Sequence, residues 1–201
     1  MGLPSTTANM AEESQLDPRV VRSRAAVIDA TRALLRESGF GGATIDAVSA
    51  RSGVAKTTIY RQWKDRNELV LDAFSFEAEL VVFPTTDDLR ADLCAGLQRL
   101  AKELNSSEWI GLMPAMIEAS ERDPDFLAMS RSFMESRRKP LKDRIHLAIE
   151  RGELSGGFDE ETLMAVIAGP LFYRRLITHQ AVRRNIIENL LDLFLSGAAA
   201  R

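Results

Sequence analysis

Apolar residues recur along this chain at helical spacing. Val27, Ile28, Thr31, Leu34 and Leu35 fall at i, i+1, i+4, i+7 and i+8, one face of a helix expected over about Pro18–Ser38. Pro18 suits its first turn, and Gly39, Gly41 and Gly42 close it. Ile45 and Val48 share the face of a second, shorter helix. Thr44 is its cap and Asp46 lies in its first turn, where the helix dipole favours a negative charge. Gly53 supplies the backbone freedom for a tight turn, and Val54 and Ile59 are the apolar anchors of a third helix, about Lys56–Trp63.

Asp65 and Glu68 then read as a capping box for a fourth helix reaching about Val82. After Pro84-Thr85-Thr86, Leu89, Leu93, Leu97, Leu100 and Leu104 form one stripe of a helix over about Asp87–Leu104. Trp109–Ser120 is apolar and Met-rich, with a kink expected at Pro114. Asp123-Pro124 caps a long helix to about Arg151, with Leu141, Ile145 and Ile149 inward and a bend expected at Pro140. Asp159 opens the next helix, interrupted by Gly169-Pro170, and a last one spans about Val182–Ser196. The pattern contains no strand signal and no internal repeat. It predicts an all-α protein of about nine helices, with a polar arm over residues 1–17, expected to be disordered, a helix-turn-helix module over 18–66, and a larger helical domain over 67–201.

Two stretches carry more than folding requires. The third helix has barely two turns, yet Lys56, Thr57, Thr58, Tyr60, Arg61 and Gln62 are nearly all hydrogen-bond donors. A helix that short cannot stand alone in water, so neighbours must hold it. Cations and hydroxyls on a short supported helix suit phosphates and base edges, with Arg61 matched to guanine and Gln62 to adenine. Trp63 reads as packing, and Tyr60 as a phosphate contact through its hydroxyl. Lys64, Arg66, and Arg22 and Arg24 near the start of the first helix are further phosphate candidates. The last two helices, for their part, hold more apolar surface than one buried face needs, which predicts a partner.

Charge sharpens the first of these. The chain is −3 overall, which by itself argues against nucleic acid, but Pro18–Arg66 holds ten Lys and Arg against four Asp and Glu. A basic module on an acidic body suits a protein that lays one face on DNA. The one cysteine, Cys94, excludes an intrachain disulfide and a thiolate zinc site and fits a reducing interior. No apolar run approaches the roughly eighteen residues of a membrane span, and the first residues lack the pattern of a secretion signal.

Thr44-Ile45-Asp46-Ala47-Val48-Ser49, Gly53-Val54-Ala55-Lys56-Thr57-Thr58-Ile59-Tyr60 and Trp63-Lys64-Asp65-Arg66-Asn67-Glu68-Leu69 together resemble, in order and spacing, the N-terminal domain of the TetR family of bacterial transcriptional regulators. Gly169-Pro170-Leu171-Phe172-Tyr173-Arg174-Arg175 resembles one C-terminal subgroup more loosely. The resemblance implies a cytoplasmic homodimer that binds a pseudo-palindromic operator and is released when a small molecule fills the C-terminal domain. It implies no cofactor. It further implies that the last two helices of each subunit pack as a four-helix bundle, for which Leu171, Ile186, Ile187, Leu190, Leu191 and Phe194 are the candidates. Trp109, Met113, Met116, Ile117, Phe133, Met134 and Phe172 are the candidate lining of an effector pocket suited to an apolar molecule, although plain core packing is the commoner role for any one of them. Ala55 departs from the family, which often has Ser there. Ala cannot cap the recognition helix, a cost of about 1 kcal/mol.

Other chemistry is thin. His146 and His179 stand in no metal-ligand spacing, and there is no phosphate-binding glycine loop or nucleophile elbow. Glu118 and Glu121 lie three apart, as acids on helix surfaces often do. The basic run Arg137-Arg138-Lys139 reads as a solvated face or a dimer contact. Two other readings stay open on sequence alone: an assembly protein whose helix-turn-helix is vestigial, and a helical enzyme.

Overall fold

The computed structural model describes residues 17–75 and 81–198, except the side chains at 107, 108 and 198. Nine α-helices stand among them: α1 (Pro18–Gly42), α2 (Ile45–Ser52), α3 (Lys56–Gln62), α4 (Arg66–Ser75), α5 (Leu89–Asn105), α6 (Ser107–Arg122), α7 (Pro124–Glu150), α8 (Glu160–Phe172) and α9 (Arg184–Ala198). The N-terminal arm expected over 1–17 lies outside the described residues apart from Asp17, whose carboxylate accepts from the Arg19 N–H at 2.8 Å and caps α1. Residues 76–80, within the fourth helix expected to reach Val82, also lie outside them.

The chain divides into two compact units. One takes in residues 17–75 together with Pro114–Met129; the other takes in 81–113 and 130–198. Helices α6 and α7 therefore each contribute to both.

In the first unit, Val27 and Ile28 of α1, Ile45 and Val48 of α2, Ile59 of α3, Trp63, and Leu69 and Ala73 of α4 make one buried cluster. These are the residues picked out by helical periodicity. Gly39 has φ +65, so the helical run ends there as expected. The second half of α6 joins this unit at the same turn: the Phe40 N–H donates to a Glu118 carboxylate oxygen at 3.4 Å, and a Cβ on Gly39 would stand 2.9 Å from that oxygen. Asp123 caps α7 by accepting from the Asp125 and Phe126 N–H groups, both at 3.0 Å, and takes a third bond from the Asn67 amide. The Phe40 and Phe126 rings sit 5.3 Å apart. Glu118 is thus a structural acceptor.

In the second unit, the Leu89/Leu93/Leu97/Leu104 stripe of α5 packs with Leu141, Ile145 and Ala148 of α7, Leu163, Ile167 and Leu171 of α8, and Ile187, Leu191 and Phe194 of α9. Asp88 and Asp159 cap α5 and α8 through the Ala91 and Thr162 N–H groups. A charged pair missed by periodicity lies inside: Arg144, almost wholly buried, bonds Asp92 at 2.9 Å and reaches Glu153 at 3.3 Å. Burial pushes the Asp92 carboxyl upward most strongly, but the Thr86 hydroxyl and N–H and the Arg144 guanidinium together hold it below the usual aspartate range. Leaving either partner unpaired inside would cost several kcal/mol, on the order of 3–5.

Three prolines fall inside helices. Pro114, Pro140 and Pro170 all lie within continuous helices. The interruption expected at Gly169-Pro170 falls just after it, as a π-helical turn over Tyr173–Ile177 in which the Thr178 N–H bonds the Tyr173 carbonyl at 3.2 Å.

Candidate nucleic-acid interface

Helices α2 and α3 meet through a turn that the sequence specifies locally. The Thr44 hydroxyl accepts from the Ala47 N–H at 3.1 Å and starts α2. Gly53 ends it in the left-handed conformation, φ +71, which a side chain would strain. The Ser49 hydroxyl donates to the Val54 carbonyl at 2.7 Å and fixes the turn from inside. Ala55 then begins α3 with no side-chain cap.

Two anchors hold α3: Ile59, fully buried, and Trp63, buried at its end. The Trp63 indole N–H donates to Asp72 at 2.8 Å, and Arg24 grips both oxygens of the same carboxylate at 3.0 and 2.8 Å. Asp72 therefore ties α1, α4 and the end of α3 together. With the apolar side fixed, the rest of α3 faces out. Lys56, Thr57, Tyr60 and Arg61 are exposed, Tyr60 by 54%, and Thr58 and Gln62 are half-buried. Lys64 is exposed just beyond. Its own N–H donates to Glu68 at 2.6 Å, so the capping box closes one residue further back than expected, while Asp65 accepts from the Glu68 N–H.

Three expected phosphate contacts have partners within the chain. Arg24 is bound to Asp72, as above. Arg66 donates to the Ala43 carbonyl at 2.9 Å and to the Phe40 carbonyl, with its guanidinium carbon 4.0 Å from the centre of the Phe40 ring. Burial lowers its pKa from the ordinary arginine value, although Asp123 and Glu118 pull the other way. Arg66 is thus a structural clasp on the end of α1. Lys56 keeps an exposed ammonium, but Asp46 pairs with it at 2.6 Å. Arg22 is exposed, bonded only to the Pro18 carbonyl at 3.1 Å among the described residues.

The seven expected effector-lining residues divide between the two units. Met116 and Ile117 belong to the first unit, the former buried and the latter exposed. In the second, Met113 is buried, the Trp109 and Phe172 rings pack 6.1 Å apart, and Phe133 and Met134 are half-buried, with the Arg137 guanidinium over Phe133. An open cleft of about 430 Å³ between residues 82–85 and one side of α7 is lined by none of the seven. Arg137 is itself mostly buried against Glu103 at 2.7 Å, and the solvated face expected for its run is kept only at Arg138 and Lys139, paired with Glu161 and Asp143.

The expected dimer set divides between buried and half-buried positions. Leu171, Ile187, Leu191 and Phe194 lie inside the second unit's own core, and Ile186 and Leu190 are half-buried. The apolar residues left facing solvent on the same helices are Val166, Tyr173, Ile177 and Leu193, the last exposed by 73%. Two apolar stripes run along these helices, and four of the six expected residues lie on the buried one. Asp72 and the Asp46–Lys56 pair were missed altogether. A buried indole N–H must find an acceptor, which was a signal for an acid near Trp63; nothing in the spacing linked Arg24 to a residue 48 positions on.

A short, supported helix with an outward row of donors, presented by a glycine turn from its predecessor, defines a helix-turn-helix DNA-binding protein. Among the described residues no helix is long and apolar enough to cross a membrane. Residues 27–73 match the family model for bacterial regulatory proteins of the tetR family, and residues 83–194 match that for the tetracyclin repressor-like C-terminal domain. The chain is 30% identical to the HTH-type transcriptional regulator YdeS of Bacillus subtilis (strain 168), covering 91% of this chain and 93% of that one. It is 31% identical to the DNA-binding transcriptional repressor TetR of Mycobacteroides abscessus over 76% and 81% of the two chains. The crystal structure of the TetR family transcription regulator SCO0332 aligns with a TM-score of 0.66 at 29% identity, over 88% of this chain and 98% of that one. The chain belongs to the TetR family and is a DNA-binding transcriptional regulator.

Proposed function

We propose that this regulator is a cytoplasmic homodimeric repressor that grips a two-fold operator through α3 and releases it when a small apolar molecule occupies the second unit. The observation that carries the reading is the presentation of α3: Ile59 and Trp63 are locked inside while Lys56, Thr57, Tyr60 and Arg61 face solvent. Thr44, Thr58, Gln62, Lys64 and Arg22 complete the contact set; Arg24 and Arg66 act by holding the frame. Reading successive major grooves needs two copies of α3 about 34 Å apart. The exposed apolar residues Val166, Tyr173, Ile177 and Leu193 supply the surface for pairing. The relative named as a repressor favours repression as the sign. A ligand releases DNA only through its different affinity for the two states, and Trp109, Phe133, Met134 and Phe172, all half-buried in the second unit, are the side chains suited to an apolar guest.

The test is fluorescence anisotropy on duplexes from the DNA upstream of the gene. Lys56→Ala with Tyr60→Phe should weaken binding by at least about tenfold, since each lost polar contact costs about 1 kcal/mol or more. Unchanged affinity would favour an assembly protein with a vestigial helix-turn-helix.

A further inference from the structure

One ion pair at this surface joins the start of α3 to the first turn of α2. Lys56 is the first residue of α3, where a cation opposes the helix dipole and where Ala55 offers no side-chain cap. Its ammonium meets the Asp46 carboxylate at 2.6 Å, with both side chains open to solvent, 51% and 75% exposed. Asp46 is not the cap of α2, because the Thr44 hydroxyl takes that role. Other cations of the first unit are matched in the same way: Glu37 holds Arg51 through two bonds of 2.5 and 2.8 Å, and Asp72 holds Arg24. Arg61 and Lys64 are exposed cations for which no carboxylate partner stands among the described residues.

We infer that Asp46 is a built-in restraint on Lys56, competing with DNA phosphate for the same ammonium and so holding down affinity for DNA of any sequence. Sequence-independent binding follows the number of cations that can meet phosphates. A lysine already neutralised within 3 Å adds less to it, and the carboxylate must be displaced or shared when phosphate arrives. The inference rests on the reading that Lys56 faces phosphate, and the experiment separates the two.

The measurement is a double-mutant cycle on the full chain, D46N and K56Q singly and together, with a short scrambled duplex and an upstream duplex as ligands. Thermal melts confirm that these exposed substitutions leave the fold intact. At about 50 mM salt D46N should bind the scrambled duplex about two- to fivefold more tightly, the range expected for one exposed pair. Its log–log salt slope should steepen by about 0.9, one further phosphate contact. K56Q should weaken binding, and D46N should then have no further effect. If D46N tightens binding equally in the K56Q background, Asp46 repels DNA directly and the restraint through Lys56 is refuted. If D46N instead weakens binding to the upstream duplex alone, Asp46 reads a base edge, which also overturns it. If K56Q leaves affinity for both duplexes unchanged, Lys56 does not meet phosphate and the interface reading fails with it.

Discussion

Helices α3 and α9 were both marked by their sequences as surfaces for a partner, and the structure treats them in opposite ways. On α3 the donors face solvent. On α9 most of the residues expected to face a second subunit are inside, and the outward apolar position is Leu193. The difference is one of ambiguity. A seven-residue helix with one buried position has only one way to turn, because burying Lys56 or Arg61 unpaired would cost far more than burying Ile59 gains. A fifteen-residue helix with two apolar stripes can bury either, and only the neighbouring helices decide.

The comparison can be broken most forcefully at its anchors. Trp63→Ala should cost about 3–5 kcal/mol in urea unfolding, from the cavity and from Asp72 losing a donor. Leu191→Ala should cost about 2–5 kcal/mol for the cavity alone. Leu193→Lys, two positions away, should change the stability of the subunit by no more than about 0.5 kcal/mol yet abolish dimers in sedimentation velocity; a dimer that persists would remove this face as the interface. Ala55→Ser should add about 0.5–1 kcal/mol by capping α3.

The smallest effects distinguish the units by pH. At Asp123 the Phe126 N–H, then the Asn67 amide, hold the carboxyl below its ordinary value. It therefore stabilises the fold above the unfolded aspartate pKa, and that contribution is lost as pH falls through the lowered one. At His146 the bond to Glu160 at 2.6 Å, then the nearby Glu150, raise the imidazole pKa. Its contribution is complete below the unfolded value and is lost as pH rises through the raised one. Asp123→Asn should flatten the acid limb of the urea midpoint against pH, and His146→Gln the limb above the ordinary histidine pKa.

Most of the recognition unit was legible in the sequence because its determinants are local. Thr44, Gly53, Ile59 and the Asp65/Glu68 box act within a few residues of where they stand; the first three do in the structure what their type and spacing imply, and the box differs only in that Glu68 reaches back to Lys64. The intrachain partners of Arg24, Arg66 and Asp46 were not foreseen because a charge says nothing by itself about which partner it meets. Arg24 finds Asp72 across 48 residues, and Arg66 finds carbonyls more than twenty residues back. Residue type is ambiguous for an effector lining for a related reason: Met and aromatic residues fill cores and line pockets alike. The Arg144–Asp92 pair had no periodic signature, lying among the apolar positions of α5 and α7.

The presence of Pro114–Met129 in the first unit bears on how such a protein can be cut and recombined. Phe126, wholly enclosed, and Asp123, bonded to Asn67, come from far along the chain, yet a fragment ending at residue 75 would lack both and leave the Phe40 ring bare on one side. The reading head is therefore not a detachable cassette. A chimaera that grafts it onto another regulator's body must carry residues 114–129 with it.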